Sequence, residues 1–528
     1  GLFPLRAYFW NKMKSNRKSF IKKFRISDRY FVYDVNTNQS FETDKSIYKL
    51  IDFANEDFGT IEKKFGSEFG NDELSRLLGL IQQEKSNGLF LSTQPGRLFF
   101  FDRKQVESEI YSNLNAMHLV LTENCNMRCK YCVYSGKYTY QRQHSSMRMT
   151  KTTVQDSLEF FFSHSKEQSI YLGFYGGEPL LEFDLIQASL EHLEAMKREN
   201  RYGVAEKAIH IQFTTNGTLL NEKVIAYLIQ NKIGMMISLD GSQETHDRYR
   251  VMVNQGGSFQ SVFKNIQMIK VMSPEYYREY VKYNVVLAPP IELKKTLDFF
   301  TEHSDLFADT HMMVTGLAPH DNDFITSPEI VEAIRMKRAS YFYELSVLTR
   351  VFSDLVKKID TGKPLTREEK TQYRFCFGVF GKTFKRIHEA TATLPFSESF
   401  FLERMCVPGN HTLYVGPDGK CYFCRNSIGM MSIGDIENGL DIDRIMQIND
   451  EYIQLCEKVE CTRCWAIQFC RGSCQLTAMH GEGYSLENKR KSCDDFKYNH
   501  MKYLKLYMKL LYSEPRIKNI FAPDDIPF

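Results

Sequence analysis

The chain reads as an α/β protein: a partial (β/α)6 barrel, preceded by a winged-helix-like α+β domain and followed by a cysteine-rich, cluster-binding domain. Three observations predict this. Between residues 116 and 320, six short apolar runs alternate with helix-length amphipathic stretches, the pattern of βα units on a parallel sheet. Residues 26–102 instead mix a hairpin pattern with three helical periodicities. Ten of the thirteen cysteines form two spaced sets, one just after the first apolar run and one between Cys406 and Cys493. At 528 residues the chain exceeds a single compact core, so several parts are expected.

Composition narrows the class. Hydrophobic residues make up 43% and charged residues 25%, as in an ordinary globular protein. A net charge of +3 argues against a global nucleic-acid footprint, so no nucleic-acid partner is expected. No apolar run reaches the roughly 18 residues of a membrane span, and the first residues lack a signal-peptide core. Thirteen cysteines without a secretion signal point to a reducing compartment, where thiols bind metal or do chemistry. The expected location is cytoplasmic, with no membrane partner.

Residues 1–25 form a basic segment, with Lys12, Lys14, Arg17, Lys18, Lys22, Lys23 and Arg25. It reads as a solvated helix face, with a docking patch for an acidic peptide as the alternative. In residues 26–102, Tyr30–Tyr33 and Ser40–Glu42 pattern as a hairpin around Asn36-Thr37-Asn38. Three helical stretches follow: Ile47 to Phe53, Phe58 to Phe65, and Leu74 to Ile81. The third opens at Asn71-Asp72 and stops at Gly88. Leu89–Leu91 and Arg97–Phe101 read as a further hairpin.

The six runs of the region 113–320 are Met117–Leu121, Ile170–Phe174, Ile209–Phe213, Met235–Leu239, Val281–Leu287 and Met312–Val314. Six units are too few for an eight-stranded closed barrel, so an open, TIM-like one is expected. The first four runs end in polar or Gly-rich residues, which places them on the C-terminal rim where barrel enzymes hold their chemistry. Residues 321–400 read as a helical bridge, 401–500 as a turn-rich cysteine domain, and 501–528 as a helix followed by a Pro-containing tail.

The first rim motif is Cys125-x3-Cys129-x2-Cys132. A cuboidal 4Fe–4S cluster has four iron corners, usually held by thiolates. Three cysteines leave one iron for a non-protein ligand, expected to be the amino and carboxylate groups of S-adenosylmethionine. The alternative is an incomplete zinc site. Tyr131 lies beside the third cysteine, where it packs or flanks a nucleoside. Gly176-Gly177-Glu178-Pro179 offers close backbone approach and an acceptor for a ligand ammonium, or else a plain turn with a helix-start carboxylate. Thr215-Asn216-Gly217-Thr218 and Ser238-Leu239-Asp240-Gly241 suit ribose hydroxyls or a methionyl carboxylate, and Arg250 suits that carboxylate.

These motifs, in this order, resemble the radical S-adenosylmethionine enzymes over about residues 113–320. The resemblance implies a 5′-deoxyadenosyl radical that abstracts a substrate hydrogen, with the protein positioning and shielding the cofactor. Cys406, Gly419, Cys424, Cys461-x2-Cys464-x5-Cys470-x3-Cys474 and Cys493 resemble the SPASM extension of peptide-modifying members. That resemblance implies two auxiliary 4Fe–4S clusters, hence three in all. Cys406, Cys424 and Cys474 would hold one, and Cys461, Cys464, Cys470 and Cys493 the other. The first is a ligand short; Cys376 or Cys421 could complete it, or the site stays open for a substrate thiolate. Cys456 reads as a small apolar packer, and a zinc ribbon at Cys461–Cys474 is the competing reading. Sulfatase-maturing relatives usually carry an aspartate after the cysteine matching Cys424. Arg425 stands there instead, and arginine is a poor base.

Residues 26–88 resemble the PqqD-like recognition domain, which binds a leader peptide as an added strand; a generic winged-helix cap is the alternative. Together these readings point to a maturase that crosslinks a ribosomal precursor peptide, first of all through a cysteine thioether. A carbon–carbon or carbon–oxygen crosslink, formylglycine formation, and a non-catalytic peptide-binding cluster or zinc scaffold are the rival expectations. The partners implied are the precursor and a flavodoxin- or ferredoxin-type electron donor.

Overall fold

One curved sheet organises the molecule. The computed structural model describes residues 18–138, 142–317, 323–389, 396, 398–403 and 405–513. The chain starts with a three-stranded antiparallel sheet of β1 (Ile21–Ile26), β2 (Arg29–Asp34) and β3 (Gln39–Thr43), with β2 central. Three helices, Lys45–Leu50, Phe58–Phe69 and Asn71–Ser86, cover it, and Leu50, Ile61, Leu74, Leu77 and Ile81 bury their side chains under them. Asp44 and Asp57 cap the first two helices by accepting from the backbone N–H groups of Ile47 and Thr60. The short strand β4 (Arg97–Phe99) follows.

The barrel strands are β5 (Ala116–Thr122), β6 (Ser169–Gly176), β7 (Ala208–Thr215), β8 (Gly234–Ser238), β9 (Val281–Leu287) and β10 (His311–Gly316). They pair in parallel, each with its neighbour in sequence, as the six apolar runs predict. Alternate residues such as Met117, Leu119, Leu121, Phe213, Ile237 and Val285 bury against the outer helices. The intervening residues face inward. His118, Tyr175, Gln212, Thr214, Met236 and Tyr414 line an inner cavity of ≈ 70 Å³ together with Arg425.

The sheet does not stop at β5. Past β11 (Ser399–Phe401), the strands β12 (Thr412–Val415), β13 (Lys420–Tyr422), β14 (Ser432–Asp435) and β15 (Gly439–Leu440) extend it. β12 runs parallel to β5 and the rest follow antiparallel, giving ten strands among the described residues. A 33-residue helix, Pro328–Asp360, and the helix Arg367–Cys376 fill the bridge. Among the described residues no helix is long and apolar enough to cross a membrane.

Three expectations change. The basic segment is not a helix face where it is described: Lys22, Lys23 and Arg25 lie in β1, with Phe24 between them stacked on Phe31. Lys23 bonds to Asp52 at 2.6 Å, so the charges sit on aliphatic stems at a sheet margin. Lys12, Lys14 and Arg17 lie outside the described residues. Arg97–Phe101 does not form a hairpin with Leu89–Leu91. β4 pairs in parallel with β11, where Phe401 packs against Phe99, Phe100 and Phe101. The final helix begins at Leu486 and runs unbroken to Ser513, across the expected boundary at 500. The Pro-containing tail lies outside the described residues.

Candidate active site

Cys125, Cys129 and Cys132 lie on the loop leaving β5, at the C-terminal rim. The loop is pinned by backbone bonds from Arg128 N to Val251 O (2.7 Å) and from Lys130 N to Tyr249 O (2.9 Å). Cys132 N donates to Cys129 O at 3.0 Å, turning the two sulfurs towards one region. Asn216 Nδ2 reaches Cys125 Sγ at 3.8 Å and Asn126 Oδ1 at 2.9 Å, tying the loop to the end of β7. Burial holds the Cys125 and Cys129 thiols up to about 12. Thiols in that setting ionise when a metal binds rather than acting as free nucleophiles.

Gly176 ends β6 and Gly177 follows it. A Cβ on Gly177 would meet Asn124 O at 2.0 Å, and one on Gly176 would meet Thr122 O at 2.2 Å. The glycines therefore admit the backbone of the cysteine loop itself. Glu178 is buried, and its oxygens accept from Asn216 N (2.7 Å), Thr215 Oγ1 (2.8 Å) and Leu180 N (3.1 Å). Burial raises its pKa against these bonds. Its part here is to clamp the ends of β6 and β7 together, with at most one lone pair left for a ligand.

On the far side of the loop, Tyr131 donates to Asp240 and accepts from Arg250 Nη1 at 3.0 Å. Asp240 also accepts from Val286 N at 2.9 Å. Behind them, His246 joins the Asp240 backbone to Ser258, whose hydroxyl donates to Arg250 O at 2.7 Å. Sequence spacing gave no sign of this brace. Among the described residues the buried Arg250 Nε has no hydrogen-bond partner. Ser238 ends β8 in register with Asn284, whose buried Oδ1 is likewise without a partner among them. An open guanidinium donor whose charge reaches the Cys129 and Cys132 thiols fits a carboxylate such as that of S-adenosylmethionine.

The second set divides in two. Cys406, Cys424 and Cys474 lie close enough for each thiol to feel another's charge; Cys406 and Cys474 are exposed and Cys424 half-buried. Cys461, Cys464, Cys470 and Cys493 line one small cavity with Phe496 and Lys497. Among the described residues, no three His, Cys, Asp or Glu side chains close on a single metal ion. The thiols gather instead around a space.

Neither candidate for a further ligand joins the first trio. Cys376 is fully buried in its helix, and its thiol donates to Leu348 O at 3.7 Å. Cys421 is buried in β13 opposite Val415, on the face away from Tyr422. Cys456 is buried in the apolar core as a small packer, and it also shares a hydrogen bond with Cys461 that lowers its pKa and raises that of Cys461. Lys489, one helical turn before Cys493, is buried among the same thiols. Its i, i+4 spacing to Cys493 was the available signal in the sequence.

Arg425 projects into the inner cavity, within 6.0 Å of the Tyr175 ring centre. It is open to cavity solvent while crowded by protein. His118 lies beneath, stacked on Tyr414 at 4.8 Å, and burial followed by the Arg425 charge lowers its pKa to about 4. A larger cavity of ≈ 850 Å³ opens at the opposite ends of the strands and touches none of the cysteines.

Residues 119–300 match the Radical SAM superfamily model. A cysteine-type anaerobic sulfatase-maturating enzyme of Clostridium novyi (strain NT) is 31% identical over 156 residues, 29% of this chain and 40% of that protein. The radical SAM cyclopropyl synthase TigE of Paramaledivibacter caminithermalis is 24% identical over 286 residues, 51% of this chain and 55% of its own. The chain thus spans two fifths to just over half the length of these relatives. The solved structure of anSMEcpe with bound AdoMet and Kp18Cys peptide superposes with a TM-score of 0.50 at 17% identity. That match covers 75% of this chain and 99% of the other, and at this identity it speaks for the fold alone.

Proposed function

Residues 119–300 are a radical SAM domain, and from that premise we propose that this enzyme crosslinks a ribosomally made precursor peptide, joining a cysteine sulfur to a carbon of another residue. The observation that carries the reading is the trio of Cys406 and Cys474, both exposed, with the half-buried Cys424, while Cys376 and Cys421 are both placed elsewhere. A cluster held there would have a corner suited to a substrate cysteine. The named relatives, a cysteine-type sulfatase-maturating enzyme and a cyclopropyl synthase, lend support as kin.

Cys125, Cys129 and Cys132 would hold the cluster that binds S-adenosylmethionine, and that pair when bound supplies a 5′-deoxyadenosyl radical able to take hydrogen from carbon. The chain's own residues do the rest. Arg250, with Asp240 and Tyr131 behind it, orients a carboxylate. Glu178 keeps the rim closed by clamping Thr215 and Asn216. The inner cavity, walled by Tyr175, Tyr414 and Met236, shelters a substrate side chain from water. Arg425 stays protonated in that cavity, which suits holding a peptide and disfavours the base needed for formylglycine.

The test is anaerobic reconstitution with reductant, S-adenosylmethionine and a peptide encoded beside the gene. A crosslink gives 5′-deoxyadenosine and a peptide lighter by two hydrogens, with a cysteine that iodoacetamide no longer alkylates. A product carrying an aldehyde in place of a thiol or hydroxyl would favour formylglycine formation. A product lighter by two hydrogens that keeps every thiol free would favour a carbon–carbon or carbon–oxygen link. Cys129→Ala is expected to abolish formation of 5′-deoxyadenosine; retained formation would refute the cluster assignment.

A further inference from the structure

Lys489 is fully buried in the helix Leu486–Ser513, behind the second cysteine group. Its Nζ donates to Tyr452 Oη at 2.7 Å and to Gly472 O at 3.1 Å, and lies 4.4 Å from the centre of the Tyr452 ring. Those partners are neutral. Among the described residues no carboxylate forms an ion pair with it. The ionisable groups that face it are the thiols of Cys456, Cys461, Cys470 and Cys493. Three of these line the cavity that also receives Cys464.

An ammonium buried without a counter-charge is among the costliest groups a fold can hold. Cys456, whose pKa is lowered by its bond to Cys461 and by Lys489, offsets it only in part, and the raised thiols of Cys461, Cys470 and Cys493 do not offset it. A 4Fe–4S cube held by four thiolates does, because it is a dianion when oxidised and a trianion after one-electron reduction. The donor set therefore fits the auxiliary cluster and explains the lysine, whereas an apolar packing role for this region would leave the charge unaccounted for.

We propose that Lys489 is the counter-charge of the cluster held by Cys461, Cys464, Cys470 and Cys493, a positioning residue that makes this cluster easier to reduce. The inference rests on the two-auxiliary-cluster reading above and adds to it a residue outside the ligand set. The charge acts across a low-dielectric interior, where it favours the more negative oxidation state. Its other neighbour, Gly472 O, lies between Cys470 and Cys474 in the chain, and the lysine charge also reaches the Cys474 thiol. A smaller effect on the first auxiliary cluster is therefore expected.

The experiment is a potentiometric titration of the full chain, reconstituted without oxygen and followed by electron paramagnetic resonance. Dithionite supplies one electron per cluster; no bond is made or broken. Lys489→Met keeps length and removes charge, while Lys489→Arg keeps charge. At a fixed potential, the reduced-to-oxidised ratio of one cluster should fall at least tenfold in K489M, a shift of 59 mV for one electron. The ratio should stay within about threefold of the parent in K489R. Loss of about four irons in K489M but not in K489R would also support the proposal. Unchanged midpoints in a fully loaded K489M would overturn it, as would equal loss of iron from both variants. If Cys461→Ala with Cys464→Ala costs no iron, no cluster is there. That outcome fails the premise and the proposal with it, and is distinguishable from failure of the lysine's role alone.

Discussion

A methyl group at Gly177 would strike the Asn124 carbonyl oxygen, with no flexible side chain able to give way. Gly177→Ala should therefore displace the cysteine loop from the end of β6. The expected cost is about 2–4 kcal/mol, seen as a lower melting temperature together with loss of iron from the first cluster. An unchanged melting temperature and iron content would show that the loop does not sit against β6 as described. His118 gives a second expectation. Its folded pKa of about 4 lies below the ordinary value of 6.5, because burial and then Arg425 oppose its charge. A depressed pKa means that the stability it contributes is present above pH 6.5 and is lost as pH falls towards 4. His118→Asn should flatten part of that acid slope in thermal melts taken across the window, whereas an identical slope would mean that His118 titrates as if exposed. The three rim cysteines were singled out by their spacing, because one short loop at the end of β5 carries all three. Glu178 was marked by the Gly-Gly-Glu motif, but its clamp on Thr215 and Asn216 was not, and His118 and Lys489 went unmarked, since their partners lie on other elements: Tyr414 and Arg425, and Tyr452 and Gly472 respectively.

The strand β3 lies at the margin of the N-terminal sheet, with β2 on one side only among the described residues. An extended leader peptide can add to such an edge through its backbone. Deuterium uptake across Gln39–Thr43 should therefore fall when a cognate precursor binds, and unaltered uptake at saturating peptide would count against the recognition role. Deleting the N-terminal sheet is a poor probe of that role. Tyr33 stacks on Phe469 at 4.9 Å and Phe31 meets Tyr512 at 5.6 Å, so this sheet is packed against the segment bearing Cys464 and Cys470 and against the helix Leu486–Ser513. The barrel strands were readable because each buries an apolar face under helices. Strand β1 was hidden by its lysines, whose ammonium groups lie over the rings of Trp465 and Tyr48. The pairing of β4 with β11 joins residues some three hundred positions apart, and no local pattern encodes a partner at that distance. β13 to β15 are two to four residues long and rich in turns, too short for a period to show.

Barrel and cysteine-rich region share one hydrogen-bonded sheet, and this sets what can be cut. β12 pairs with β5 over Ala116–Leu119, and Val120 packs against Tyr422 and Ile428 from the extension. Arg103 pairs with Asp443, Asn410 Nδ2 donates to Glu109 O at 2.7 Å, and Leu440 N donates to Tyr111 Oη at 3.1 Å. The strand that delivers Cys125, Cys129 and Cys132 is thus held from both sides: by β6 within the barrel and by β12 from the extension. The same continuity puts Arg425 into the barrel cavity and brings Cys406 and Cys424 near Tyr414, which lines it. A chain ended after Phe401 loses that second neighbour and presents β5 as a bare, largely apolar edge. It should aggregate on expression, or melt well below the full chain, and it should fail to retain the first cluster even though all three of its ligands are present. The checks are the soluble fraction, the melting temperature and the iron content of the purified fragment. A monomeric fragment that binds about four irons and cleaves S-adenosylmethionine like the full chain would show that the barrel is autonomous and that the shared sheet has no part in setting the rim.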